Sequence, residues 1–426
     1  MPNIGFRSDL LRPATGDESH RVTYMELFFD LVFVFAITQV SHLLIHHQSG
    51  ASFVHAIMLG VVVWWAWVYT TWAASWLDPE RGPVRGLFIL LMLLGLLVSS
   101  AIPQAFGDHA LLFACALVAM HLSRSVFTIF AFARRQPAHA VNFVRISVWH
   151  VVGGAGWIAG ALLPDEVRLW VWLLAFAIDL IGPRAMYYTP GLGASAVDTW
   201  NVSGEHMAER VSLFLIVALG ESIVVTGSTF STDRLTWVTF TAFLAAFVGA
   251  VLMWLLYFNH NQRGGSEYIS QADERGMIAQ TAFTYIPILF VLGIVMSAVG
   301  DGLVLANPTG STGLWTAGIV TGSFCVYLIG NALFTRAVGG PWLTAHFVAA
   351  VALVALFALH PLVSPLALSW IANGVLLSVA VVDERNHRGH RQGAVDKTGP
   401  DAPPEASGPV PITRRTPWRV HRPDDR

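Results

Sequence analysis

Charge is scarce in this chain. Asp, Glu, Lys and Arg make up 12% of the 426 residues against 54% hydrophobic, and the sole lysine is Lys397. A mean hydropathy of +0.58 excludes a soluble globular domain of this length. The formal net charge of −2 favours no partner of either sign. Without a basic stripe carrying interleaved aromatics, no nucleic-acid partner is expected. Cysteine is scarce too. Cys115 and Cys325 both fall in apolar runs, which excludes a disulfide framework and makes each a small buried hydrophobe by expectation. The sequence also lacks a Gly-rich phosphate loop, a His-Glu-x-x-His zinc motif and a Gly-x-Ser-x-Gly elbow. No enzyme activity, metal or cofactor is therefore expected. Residues 1–21 are polar with no apolar h-region, so the first helix is expected to serve as an uncleaved insertion signal.

What the chain does have is a series of apolar runs, each about 17–25 residues long, the signature of helices that cross a bilayer. Twelve are read, at 25–45, 53–77, 86–106, 109–134, 143–163, 166–184, 207–229, 235–258, 276–300, 312–336, 342–360 and 362–382. The expected fold is all-α, a polytopic membrane helix bundle. A segment at 1–22 precedes a membrane domain at 23–384, and a polar Pro/Gly/Arg tail at 385–426 is expected to be disordered. Pro287 should kink the ninth span. Met25-Glu26 and Met207-Ala-Glu209-Arg210 open spans six apart, which suggests two parallel halves, 23–190 and 200–384. Loops on the N-terminal side hold Arg81, Arg134, Arg184, Arg263 and Arg336 among others, whereas the opposite loops hold only Arg168 and Arg234. By the positive-inside rule both termini are cytoplasmic.

Ionisable residues inside such spans are costly and mark partners, cavities or pathways. Glu26 and Asp30 are four apart and share one face of span 1. Glu26 lies in the first turn, and Glu209 and Arg210 sit at the edge of span 7, where solvation suffices to explain them. Glu221 lies roughly 18 Å into span 7, near the midplane. In span 4, His121 and Arg124 share a face, with Arg124 roughly 15 Å deep. A guanidinium cannot shed its charge, so Arg124 should find a carboxylate, Glu221 first and Asp179 of span 6 second. Asp30 should face span 7. Gly156 and Gly160 form a packing pair in span 5. Gln39, His42, His150, Gln280 and Asn331 read as hydrogen-bonding groups between helices.

Two resemblances follow from these motifs. Arg21-Val-Thr-Tyr-Met-Glu-Leu-Phe-Phe-Asp-Leu-Val-Phe-Val-Phe-Ala-Ile37 resembles the opening of the bacterial low temperature requirement A proteins. So does His206-x-x-Glu209-Arg210-x-x-Leu213-Phe214-x-Ile216-x-x-Leu219-Gly220-Glu221-Ser222. The resemblance covers roughly residues 15–385 and implies a multi-pass bacterial inner-membrane protein. Phe28-x-Asp30-x-Val32-Phe33-x-x-Ala36-Ile37-Thr38 is similar to the first helix of potassium/proton channels with a Phe-Ser-Asp motif, with Phe29 in place of the serine. That similarity implies six-helix units.

The reading is a channel or carrier for a small cation or proton in the lipid bilayer. Glu26, Asp30, Asp179 and Glu221 are its pathway residues, and Arg124, His121, Glu209 and Arg210 form a clamp or part of the path. The alternative is a non-transporting scaffold or sensor of bilayer state with static salt bridges. A lipid-modifying enzyme using His206, Glu209 and Asp30 is the third reading.

Overall fold

The computed structural model describes residues 10–12, 22–46, 48–196, 200, 204–232, 235–258 and 280–397. Among them there are twelve α-helices and no named strand, only the isolated bridges Leu11 to Leu77 and Thr189 to Gly193. The helices are α1 (Tyr24–His46), α2 (Gly50–Ala74), α3 (Gly82–Ala101), α4 (Ala110–Phe132), α5 (Pro137–Leu162) and α6 (Asp165–Arg184). They continue with α7 (Gly204–Thr232), α8 (Trp237–Phe258), α9 (Pro287–Ala306), α10 (Leu314–Ala337), α11 (Thr344–Ala358) and α12 (Pro365–Lys397). Several boundaries follow from local chemistry. The Ser49 hydroxyl caps α2 by accepting from Ser52 N at 3.1 Å. Proline in the first turn of α3, α5 and α9 presets φ where no backbone donor is needed.

Every expected span has its helix, but not all twelve are equally suited to a bilayer. Nine described helices are long and apolar enough to cross one. The others are α5, α6 and α11. The first two carry polar groups such as Asn142, Arg145, Arg168 and Asp179. The 15 residues of α11 reach only about 22 Å, short of a roughly 30 Å hydrocarbon core. Large apolar side chains face outward along the helices, among them Phe130 at 74% and Val351 at 69% exposure, a surface that lipid would cover.

The break expected at Pro287 takes the form of a π-helical turn at Thr281–Tyr285 just ahead of it. The two cysteines differ from expectation. Cys115 is exposed on the outer face of α4, and Cys325 is half-buried with its thiol donating to Ala350 O at 3.5 Å; both are free. The chain forms two compact units, Met1–Val381 and Val382–Arg426. The first spans the expected membrane domain up to residue 381, three residues short of the boundary at 384. Helix α12 runs to Lys397, past the expected boundary at 384, while 398–426 and the loop holding Arg263 lie outside the described residues.

Helices α5 and α6 meet through small residues. A methyl group on Gly156 would come within 2.9 Å of Ala175 Cβ, and one on Gly160 would overlap the Trp172 ring. Trp172 is fully buried, with its indole N–H donated to Trp157 O at 2.9 Å, so it has nowhere to go. Gly160→Ala should therefore lower stability by about 1–3 kcal/mol, read as a lower melting temperature in detergent. An unchanged melting temperature would mean that α5 and α6 do not pack so closely.

Helices α1 and α7 run in the same direction. Glu26 meets His206, Asp30 meets Arg210, and Thr38 meets Glu221, so numbers rise together on both helices. Parallel α1 and α7 are what parallel halves require, and they agree with an even number of crossings between them.

Candidate functional site

The i, i+4 spacing of Glu26 and Asp30 on α1 is matched by that of His206 and Arg210 on α7. Two parallel helices thus pair acid with base twice. Asp30 Oδ1 accepts from Arg210 Nη2 at 2.8 Å and from Trp67 Nε1 of α2 at 2.7 Å. Both members of the ion pair are wholly buried. The guanidinium lies 5.5 Å from the centre of the Trp67 ring and also reaches Thr71 Oγ1 at 3.4 Å. Among the described residues, Asp30 Oδ2 and Arg210 Nε and Nη1 have no hydrogen-bond partner. Buried polar atoms are almost always paired, so three orphans in one ion pair call for an explanation.

Glu26 is the fully satisfied member. Its Oε1 takes bonds from Arg12 Nη2 and His206 Nε2, each at 3.0 Å. Its Oε2 takes Thr23 N at 2.8 Å and Thr23 Oγ1 at 3.0 Å. Facing a carboxylate, His206 Nε2 must carry a proton, while Nδ1 contacts the Ser75 hydroxyl at 3.3 Å. The expectation that Glu26 and Arg210 are solvated edge groups is thus corrected. Neither is exposed, because Arg12 and α2 close over them. Glu209, by contrast, is half-buried.

Arg12 is the residue that sequence reading missed. It precedes the first helix and carries no motif, yet Leu10–Arg12 lies along the end of α2. Arg12 N donates to Trp76 O at 2.8 Å, and Nε donates to Ala74 O at 2.9 Å and Leu77 O at 3.1 Å. Arg12→Ala should leave Glu26 with one cationic neighbour fewer and loosen this segment, which would keep only its backbone bonds to the end of α2. The expected cost is about 1–3 kcal/mol of stability and faster cleavage by trypsin near the N-terminus. Wild-type stability and cleavage in this variant would show the strap to be idle.

Farther along the same seam, Thr38 Oγ1 donates to Glu221 Oε1 at 2.5 Å and also approaches Val34 O at 3.1 Å. One hydroxyl proton cannot serve both acceptors at once. The nearer acceptor, Glu221 Oε1, takes it, and Val34 O is the weaker contact.

The expected pairing of Arg124 is overturned. It has no ion pair with Glu221 or Asp179. Nη1 donates to Thr70 Oγ1 at 3.2 Å and Ala66 O at 3.5 Å, and Nη2 to His121 Nδ1 at 2.8 Å. Depth matched Arg124 with Glu221, but azimuth did not. Glu221 faces α1, whereas α4 packs on α3 and α5. Asp179 instead accepts from Trp157 Nε1 at 2.9 Å. A further carboxylate, Asp301, escaped notice because the ninth span was ended at 300, whereas α9 continues to Ala306. His150 does bond as expected, to Ser125 Oγ at 3.2 Å, and Asn331 bonds within its own helix to Tyr327 O at 3.2 Å.

Twelve helices, an apolar outer surface and buried ion pairs between helices define a polytopic helical membrane protein. Residues 21–381 match the family described as Bacterial low temperature requirement A protein (LtrA), and the chain belongs to that family. It is also 36% identical, over 376 residues, to a protein of Rhizobium meliloti (strain 1021) described only as uncharacterized. That alignment covers 87% of this chain and 90% of the relative.

Proposed function

We propose that this membrane protein passes a proton, or a small cation, along the seam between α1 and α7. The observation that carries the reading is the Asp30–Arg210 pair with its three orphaned polar atoms. It lies between Glu26 and His206 at one end and Thr38 and Glu221 farther in. From residue 26 to residue 38 the seam extends about 18 Å, more than half of a hydrocarbon core. In this reading Glu221 is the carrier of the mid-membrane proton, and Asp30–Arg210 is the gate, whose free carboxylate oxygen engages the passing charge and whose free N–H groups hold water. Both termini are cytoplasmic in the same reading, supported by the arginine-rich loops of that side. A cysteine introduced at position 82 should resist an impermeant thiol reagent added outside the cell, while one at 309 should react. The opposite pattern would invert the topology.

Proton entry into proteoliposomes under an imposed potential tests the function. A second reading, a static clamp in a scaffold or bilayer-state sensor, is favoured by Glu26, whose two oxygens are fully bonded. It is distinguished by a wild-type protein that folds and carries no flux.

A further inference from the structure

A second polar cluster sits on the other side of α2. Arg124 is 1% exposed and forms no ion pair among the described residues. A guanidinium has five N–H donors. The bonds to Thr70, Ala66 and His121 use three, which leaves two. Arg124 borders a cavity whose described lining residues include seven aromatics and no other charged side chain. The empty space, its open mouth included, is about 680 Å3. The walls come from the end of α2, from α4, α5 and α6, and from the turn before α9, so the cavity lies toward the end of the bundle where α1 begins.

The wall opposite is held in an unusual backbone conformation. Met186 and Tyr187 both have φ of 49°, in the left-handed region that side chains other than glycine seldom adopt. Their backbone is pinned by Tyr187 N to Gly182 O at 2.9 Å and Ser195 N to Met186 O at 2.8 Å. The strain directs Tyr187 against Tyr69, with a hydroxyl contact of 2.9 Å, and stacks its ring on Trp200 at 5.8 Å. Tyr69 in turn lies under the Arg124 guanidinium, 5.0 Å from its carbon. Local strain of this kind clusters at ligand sites.

We infer that this cavity binds a small organic monocarboxylate, with the carboxylate on Arg124 and a flat apolar body against the wall formed by Tyr69, Tyr187 and Trp200. Arg124 is the only charged side chain among the described lining residues, which favours a ligand carrying a single negative charge. The planar N–H donors suit a carboxylate, and the aromatic walls suit a ring or a short hydrocarbon better than a hydrated ion. The exposed Arg184, stacked on Tyr285 at 4.4 Å near the same end, would draw anions toward the mouth. The site is separate from the α1/α7 seam and does not rest on transport.

Benzoate added to the purified full-length protein in detergent tests this directly, because Trp65, Trp72, Trp76 and Trp200 line the cavity. A saturable change in tryptophan fluorescence and a rise in melting temperature are expected with benzoate. Neither is expected with benzyl alcohol or chloride at the same concentration. Arg124→Gln should weaken benzoate by at least about tenfold, and Arg124→Lys by less. Should Arg124→Gln fail to fold, Trp200→Ala keeps Arg124 and its bonds and should still weaken benzoate several-fold. Benzyl alcohol acting as well as benzoate would reduce the cavity to an apolar pocket and overturn the inference. So would a full response to chloride, or unchanged benzoate affinity in both Arg124→Gln and Trp200→Ala.

Discussion

Replacing Arg210 by methionine is expected to cost about 3–5 kcal/mol of stability, more than Gly160→Ala or Arg12→Ala. Methionine has a similar length and fills the space. The loss comes from Asp30, which is wholly buried and would keep only the Trp67 indole as a donor. An ion pair of this kind adds little over an apolar pair of the same size, but breaking it strands a charge. The double variant Asp30→Leu with Arg210→Met should therefore recover most of what the single one loses. Unfolding in detergent, followed for the wild type, both single variants and the double, gives the coupling between the two residues. Additive losses, with no recovery in the double variant, would mean that the pair is not the contact holding α1 to α7 at this level.

Glu221→Gln should bring proton flux down to the level of protein-free liposomes while leaving folding largely intact. Glutamine preserves the shape and still accepts from Thr38, whose hydroxyl lies 2.5 Å from Glu221 Oε1. It cannot pick up and release a proton. Glu221 is half-buried and carries no ion pair among the described residues, so neutralising it strands no partner. Thr38→Val removes the hydroxyl and should slow flux without abolishing it. Stability is the control. If Glu221→Gln unfolds as easily as Arg210→Met, Glu221 is a structural residue.

Much of the fold was legible because bilayer physics is written in composition. Runs of Leu, Val, Phe and Trp placed most of the helices to within a few residues, and Pro287 marked its break. Within the site, the four-residue spacing of Glu26 and Asp30 gave a shared face, and Asp30 does face α7. Arg124 shows where such reading stops. Depth along a helix can be counted from the sequence, but the direction in which a side chain points across the bundle depends on which helices are neighbours. Counting paired Arg124 with Glu221, whereas packing turns the first toward α2 and the second toward α1. Arg210 was misjudged for a related reason. Its distance from the helix start made it an edge group, but Leu10–Arg12 and the end of α2 cover that edge. Nothing in the composition of residues 10–12 announces a segment that closes a site.

The most direct measurement is proton entry into liposomes that hold the wild-type protein, driven by a potassium diffusion potential and read with an internal pH dye. Protein-free liposomes and Glu221→Gln liposomes run beside it. The account predicts entry well above the protein-free rate for the wild type and no excess for Glu221→Gln. Wild-type protein that is folded and inserted yet acidifies its liposomes no faster than bare lipid, and passes potassium no faster than bare lipid when potassium is the ion offered, would contradict it.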